Sequence, residues 1–341
     1  MANNCESNNS PKGSVAPFAL LLMSVALLLL SCGGGSGSSG SSGSCDFQAG
    51  GNCSITVNGV ARSYVLHLPP GYQANSSALV IALHGSQQSG AQMQTISELS
   101  NKADQVGFAV AYPDALKSNE GHTLWSVFYN DFAFTGTPPE DVAFLRQLIN
   151  TLQANIHPDP KKIYICGFSI GGYMAHRAGV QLSDLVAAIG VVEGTLYAIA
   201  TTDSRSVPAS VAPVSVLIFH GDQDSGIPYC GSSTSSVNQS SQEQTFNYWT
   251  SALADNCSTL DTTAPLCDSQ GKLTSVMEKD ATNCRSNAEV KFYKLVGGVH
   301  AWYNTPMDIP GQVPYNPKFG NSTGISTDDV LWNFFAAHPK S

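Results

Sequence analysis

The sequence contains few charged residues, and few of these are basic. Only 12% of its 341 residues are charged, and 16 Lys and Arg stand against 25 Asp and Glu, which gives a formal net charge of −9. Proteins that bind nucleic acid normally present a basic surface, so this balance argues against such a partner. Because 42% of the residues are hydrophobic, the chain has ample material for a buried core.

The sequence also lacks an apolar run of the length that a membrane-spanning helix normally needs. The apolar run at residues 15–30 is sixteen residues long and suits a signal peptide, which we expect over residues 1–31. Its end, Leu29-Leu30-Ser31-Cys32, is similar to a bacterial lipobox, in which Cys32 would be lipidated. An ordinary signal peptide or a short anchor is the alternative. Residues 32–44 are almost all Gly and Ser and predict a flexible linker. We therefore expect an exported protein, lipid-anchored at the cell envelope or secreted.

No C-x-x-C pair occurs among the nine cysteines, which argues against a zinc site. Cys166 lies in a predicted buried strand, where we expect a free thiol. Export favours disulfides among six others, which allow fifteen pairings. These six are Cys45, Cys53, Cys230, Cys257, Cys267 and Cys284.

Strand-like and helix-like segments alternate beyond the linker. Asn58-Gly59 separates two apolar segments, 54–57 and 60–68, and predicts a β-hairpin. Further strands are predicted at 78–83, 108–112, 163–166, 185–192, 214–219 and 291–296, helices at 91–106, 138–156, 170–180 and 327–337, a surface loop at 232–241 and a disulfide-clamped excursion at 256–287. This alternation predicts an α/β fold in one domain over residues 45–341, with a mostly parallel, doubly wound sheet and an N-terminal antiparallel hairpin.

A serine lies between a predicted strand and a predicted helix, in Gly167-Phe168-Ser169-Ile170-Gly171. In this position G-x-S-x-G is typical of a nucleophile elbow, although a Gly-rich turn without chemistry also fits the pattern alone. An oxyanion hole requires two backbone N–H groups. One comes from the residue after the nucleophile, here Ile170, and one from the loop after an early strand. For the second we choose Ser86, which follows Leu83-His84-Gly85.

A carboxylate and an imidazole follow two later strands. His220-Gly221-Asp222-Gln223-Asp224 comes after the strand at 214–219, and Gly297-Gly298-Val299-His300 follows the strand at 291–296. Serine needs a base to become nucleophilic, and the base needs a carboxylate to orient it. The chain order Ser, Asp, His is that of the α/β-hydrolases. We predict a triad of Ser169, Asp224 and His300, and Asp222 remains the alternative to Asp224.

Several motifs resemble, in order, those of the secreted α/β-hydrolase esterases that include feruloyl esterases and polyhydroxybutyrate depolymerases. These are Arg62-Ser63-Tyr64, His67-Leu68-Pro69, Leu83-His84-Gly85, Asp141-Val142-Ala143-Phe144, residues 167–174, residues 220–224 with Pro228-Tyr229, and Gly298-Val299-His300-Ala301-Trp302. The resemblance covers roughly residues 54–302. It implies the α/β-hydrolase fold, Ser169 as nucleophile, Asp224 as acid and His300 as base, a disulfide between Cys257 and Cys284, and neither a metal nor an organic cofactor.

Aromatic residues offer candidates for substrate binding. Trp302 and Tyr229 lie close in sequence to His300 and Asp224, so we expect them to line the pocket. Trp125 begins an aromatic segment that either forms an acyl-binding wall or packs on the core; its other members are Phe128, Tyr129, Phe132 and Phe134. Glu193 and His176 are interpreted as structural.

Taken together, these features predict a serine carboxylic-ester hydrolase that acts on a small-molecule or oligomeric ester. Cleavage of plant-polysaccharide esters is favoured over polyester depolymerisation, because extracellular depolymerases often append a substrate-binding domain for which this chain has no room. A serine peptidase on the same fold and a non-catalytic binding protein are the further alternatives. Membrane attachment would occur through lipidated Cys32.

Overall fold

A computed structural model describes residues 44–127, 140–196, 212–233, 238–260, 264–267, 273–303 and 326–341. All of them lie in one compact unit, Ser42–Ser341. The expected signal peptide, Cys32, all but the last residue of the expected linker and the aromatic residues at 128, 129, 132 and 134 lie outside the described residues. Within the described part of the chain, no helix is long and apolar enough to span a bilayer.

A mixed β-sheet forms the centre of this unit. The strands of the described residues are β1 (Gly51–Val57), β2 (Val60–His67), β3 (Leu79–Leu83), β4 (Ala109–Pro113), β5 (Ile163–Phe168), β6 (Ala188–Val192), β7 (Ser215–Gly221), β8 (Ser232–Ser233), β9 (Asn238–Gln239), β10 (Thr259–Leu260), β11 (Ala264–Cys267), β12 (Leu273–Thr282) and β13 (Val290–Leu295). In space the sheet runs β1-β2-β4-β3-β5-β6-β7-β13-β12-β10, and β11 pairs with β12. The short strands β8 and β9 pair with each other in a separate two-stranded sheet.

The sheet is parallel in its middle and antiparallel at both ends. Neighbouring strands from β4 through β3, β5, β6 and β7 to β13 are parallel. At one end β1 and β2 form the predicted hairpin, and β2 runs antiparallel to β4. At the other end β12 runs antiparallel to β13. The predicted α/β sheet with its N-terminal hairpin is confirmed.

Helices cover both faces of the sheet. The described helices are α1 (Gly90–Ser97), α2 (Leu99–Val106), α3 (Asp141–Asn155), α4 (Ile170–Gln181), α5 (Gln242–Thr250) and α6 (Thr327–Ala337), with a 3₁₀ turn at Arg285–Asn287. Residues of α3, α4 and α5 share one buried cluster with Ile163 and Ile165, whereas α1, α2 and α6 share another with Tyr164 and Cys166. Successive residues of β5 therefore alternate between two cores, as a doubly wound sheet requires.

Four segments differ from the sequence prediction. The single helix predicted at 91–106 is two helices, because Glu98 adopts a left-handed conformation with φ of 50° between them. The segment 256–287 is not a simple excursion, since β12 within it extends the main sheet. Helix α5 was not predicted, and the surface loop expected at 232–241 contains β8 and β9.

The described cysteines fit an exported protein. Cys257 is bonded to Cys284, as the family resemblance implied, and Cys45 is bonded to Cys53. Cys230 is also in a disulfide. Cys166 is a buried free thiol, as predicted. Disulfides form and persist in oxidising compartments, so these bonds are consistent with export.

Candidate active site

The sharp turn from β5 into α4 carries Ser169. Its φ of 56° and ψ of −122° lie outside the usual regions for a residue with a side chain, and such strain is typical of functional sites. Two glycines make the turn feasible. A Cβ on Gly167 would lie 2.1 Å from the Gly171 carbonyl oxygen, and a Cβ on Gly171 would lie 2.3 Å from the Leu83 carbonyl oxygen. Ser169 therefore stands at the carboxyl end of the sheet with α4 packed tightly behind it.

Ser169, His300 and Asp224 form one chain of hydrogen bonds. His300 Nε2 lies 2.9 Å from Ser169 Oγ, and His300 Nδ1 lies 2.7 Å from Asp224 Oδ2. An ionised carboxylate only accepts hydrogen bonds, so the His300 proton belongs on Nδ1 and Nε2 is left as the acceptor for the serine hydroxyl. This tautomer is the one that a general base requires.

The loop after β7 holds Asp224 in place. Its Oδ1 accepts hydrogen bonds from the backbone N–H groups of Gly226 at 2.7 Å and Ile227 at 2.8 Å. Burial by itself raises the pKa of this carboxyl group, but hydrogen bonding to His300 and to Ile227 outweighs burial and brings the pKa to about 2. Asp224 is therefore ionised at neutral pH and is placed to stabilise a positive charge on His300.

Asp222, the other carboxylate considered, serves a different contact. Its Oδ1 accepts a hydrogen bond of 2.7 Å from the Gly297 N–H, and its Oδ2 lies 3.6 Å from Lys294 Nζ. Asp222 therefore ties the loop after β7 to the end of β13. The structure places Asp224, not Asp222, against His300.

The two predicted oxyanion donors come from segments that meet beside Ser169. Ile170 is the first residue of α4, and Ser86 follows the end of β3. A Cβ on Gly171 would also lie 2.6 Å from the His84 carbonyl oxygen, which shows how closely this loop approaches the start of α4. Neither N–H group donates to an acceptor within the described residues. Both are therefore available to a ligand oxygen.

His84 supports this loop from inside the protein. Its Nε2 accepts a hydrogen bond of 3.0 Å from the Ala115 N–H, and its carbonyl oxygen accepts one of 2.9 Å from Trp125 Nε1. Burial lowers the pKa of His84 to about 4, so the ring is neutral and can accept from Ala115. His84 therefore shapes the turn after β3.

Comparison with known proteins agrees with this geometry. Residues 62–209 match the family model described as Esterase PHB depolymerase. A Nocardia uniformis subsp. tsuyamanensis protein named as an esterase, NocK, is 29% identical over 307 residues, which cover 82% of this chain and 80% of that protein. Feruloyl esterase B of Piromyces equi is 28% identical over 246 residues, 70% of this chain but only 42% of the relative. The chain is a carboxylic-ester hydrolase.

The predicted resemblance to feruloyl esterases and PHB depolymerases is thus confirmed. The fold of this esterase is also that of the acetyl xylan esterase from Aspergillus awamori, with a TM-score of 0.54 at 15% identity over 86% of this chain and 98% of the other. At this identity the likeness shows the fold alone, and it confirms the predicted α/β-hydrolase fold.

Two of the three aromatic candidates for substrate binding lie in the interior of the esterase, and for Trp125 this agrees with the alternative that it packs on the core. Trp125 is fully buried, and Trp302 is buried and donates its indole N–H to Asp328 Oδ1 at 3.1 Å. Their expected part in lining an open pocket has no support from the described residues. Tyr229 is half-buried, with its hydroxyl donated to Glu243 and Lys294 Nζ lying 4.8 Å from its ring centre.

Sequence analysis missed the position of Glu193 beside the triad. Glu193 follows β6 directly, between the strand that leads to Ser169 and the strand that leads to Asp224. One oxygen each of Glu193 and Asp224 and one ring nitrogen of His300 lie within 4.8 Å of one another. These atoms could hold a metal ion by distance, although His300 and Asp224 already bond each other. The available signal was a carboxylate at the carboxyl end of a buried strand, where α/β sheets form their sites.

Proposed function

We propose that this esterase is a serine hydrolase that uses Ser169, His300 and Asp224 and forms an acyl-enzyme. The observation that carries the proposal is the hydrogen-bond chain from Ser169 Oγ through His300 to Asp224. His300 Nε2 takes the hydroxyl proton as Ser169 Oγ attacks the ester carbonyl carbon, and Asp224 stabilises the resulting imidazolium.

The remaining steps of the reaction use the same groups. The backbone N–H groups of Ile170 and Ser86 hold the oxyanion, and His300 then gives its proton to the leaving alcohol. A water molecule next loses a proton to His300 and attacks the acyl carbon. The oxyanion collapses, the carboxylic acid leaves and Ser169 recovers its proton.

For the substrate, we propose the ester bonds of plant polysaccharides, of the feruloyl type. The relationship to feruloyl esterase B supports this choice. The alternative is a polyester of hydroxyalkanoic acids, which is supported by the description of the matching family model. A comparison of kcat/KM for methyl ferulate and for a 3-hydroxybutyrate trimer separates the two, because the preferred ester identifies the acyl group that the pocket fits.

Ser169→Ala tests the assignment of the nucleophile. We expect ester turnover to fall at least about 10³-fold, because the acyl-enzyme can no longer form. Thermal melting should stay close to that of the wild type, and labelling by a fluorophosphonate should disappear. A well-folded variant that keeps most of its turnover would overturn the proposal.

A further inference from the structure

Two buried carboxyl groups lie side by side in this site. Glu193 is fully buried at the end of β6, and Asp224 is 5% exposed after β7. An oxygen of each lies within 4.8 Å of the other and of a His300 ring nitrogen. Two negative charges this close in a buried site cannot both persist, so one carboxyl group keeps a proton.

The hydrogen bonds identify which group is ionised. Asp224 accepts bonds from three N–H donors, those of Gly226, Ile227 and His300, and offers no donor in return. Three accepted bonds favour the charged form of a carboxyl group. Asp224 is therefore the carboxylate of the pair.

Glu193 has the opposite arrangement. Its Oε1 accepts a bond of 2.9 Å from the Gly221 N–H and contacts the Tyr303 hydroxyl. Its Oε2 is buried without a hydrogen-bond donor among the described residues. The neighbouring His220 Nε2 is 3.4 Å away and already bonds the Ile227 carbonyl oxygen at 2.8 Å. If Glu193 were ionised, its buried Oε2 would have no hydrogen bond, whereas a protonated Oε2 can donate one.

We propose that Glu193 is a positioning residue whose carboxylic acid donates a hydrogen bond from Oε2 to Asp224 and so holds that carboxylate against His300. The inference rests on the catalytic function proposed above for His300 and Asp224. Glu193 itself neither touches the substrate nor exchanges a proton with it. Burial, reinforced by the charge of Asp224, raises the pKa of Glu193 well above its usual value and agrees with this arrangement.

Among the described residues, no cationic group faces Glu193 in the resting site. The titratable side chains that face it are His220 from β7, Asp224 from the following loop, and His300 and Tyr303 from the loop after β13. Burial lowers the pKa of His220 to about 4, so that ring is neutral. The backbone of Glu193 is fixed by a bond of 3.0 Å from its N–H to the Phe219 carbonyl oxygen, at a φ of 49°. Such a φ is uncommon for a residue with a side chain and is consistent with a functional position.

The pH profile of kcat/KM for Glu193→Gln and Glu193→Met tests the proposal in the whole protein. Gln keeps a donor toward Asp224 and carries no charge, so we expect its acid limb to match the wild type. Met keeps the volume but loses the donor. Negative charge then concentrates on Asp224, and the acid limb moves to higher pH with a lower kcat.

Asp255→Asn is the matched control. Asp255 is a buried carboxyl group that accepts a bond of 3.0 Å from the Val214 N–H, at the other end of β7 from Asp224. Its loss should change stability without moving the acid limb. Thermal melting shows which variants fold. If Glu193→Met does not fold, the acid limb of Glu193→Gln still shows whether Glu193 is charged, and a charged Glu193 overturns the inference.

Two results would overturn the inference. An acid limb that moves to lower pH in Glu193→Gln, on the order of one to two pH units, would mean that Glu193 is charged. A profile of folded Glu193→Met that matches the wild type would mean that Asp224 needs no support from Glu193. Failure of the catalytic proposal is recognised separately, by full turnover in Ser169→Ala.

Discussion

Asp224→Asn should reverse the orientation of the proton on His300. The two backbone N–H groups of Gly226 and Ile227 donate to Oδ1, so the amide oxygen of an asparagine has to take that place. The amide NH₂ then occupies the Oδ2 position, 2.7 Å from His300 Nδ1, and donates to it. His300 is left with its proton on Nε2, where it can no longer accept the proton of Ser169.

The expected loss follows from removing a general base while keeping the oxyanion donors. A wrong tautomer with intact geometry lowers kcat by about 10⁴, which corresponds to about 5.5 kcal/mol in the barrier. Steady-state hydrolysis of methyl ferulate, or of whichever ester proves to be preferred, measures this loss. The asparagine variant should melt near the wild type, because each backbone bond to Oδ1 is kept.

Asp222→Asn is the matched control. Its amide oxygen can still accept the Gly297 N–H, and the side chain does not reach His300, so we expect kcat within about an order of magnitude of the wild type. The reasoning fails if folded Asp224→Asn stays within about tenfold of the wild type, or if Asp222→Asn proves to be the more damaging change.

Two other substitutions test the fold around the site. Arg62→Met removes the buried guanidinium group that lies 2.7 Å from Asp141, and it should lower the free energy of unfolding measured in urea by about 3–5 kcal/mol. A loss below about 1 kcal/mol would contradict this. Burial raises the pKa of Asp328 to about 7 despite its bond from Trp302. In the unfolded chain this carboxyl group ionises at about pH 4. The stability that the native state owes to keeping it protonated is therefore complete below about pH 4 and is lost as the pH rises to about 7. Asparagine cannot ionise, so the free energy of unfolding of Asp328→Asn, relative to that of the wild type, should rise by up to about 4 kcal/mol between these pH values in denaturant titrations. A difference that does not change with pH would refute this.

The parallel part of the fold could be predicted from the sequence because its strands are buried on both faces. Every residue of β3, β4, β5, β6 and β7 is buried, which appears in the sequence as continuous apolar runs ended by glycine or polar residues. The same property located Ser169 and the loop of Asp224, since each follows such a run. The strand before His300, β13, contains two lysines and is only partly buried. Chemistry at the carboxyl ends of parallel strands could thus be inferred before any distance was known.

The parts that sequence analysis missed have different causes. Strand β12 is rich in polar residues and lies near an edge of the sheet, so its sequence shows no apolar alternation. This segment forms a strand through its pairing with β13. Helix α5 did have a local signal, the capping box in which Ser241 and Gln244 bond each other's backbone N–H groups. The break at Glu98 has no local signal, because glutamate rarely adopts a left-handed conformation.

Cys166 gives the molecule an internal reporter of local opening. The thiol lies three residues before Ser169 in β5, between Ala82 of β3 and Gly190 of β6. Burial raises the pKa of the thiol, so it is unreactive while this core stays packed. The thiol lies in the cluster that α1, α2 and α6 cover, so a reagent reaches it when this core opens, and the rate of labelling therefore measures how often the core beside the strand that leads to Ser169 opens in the native state.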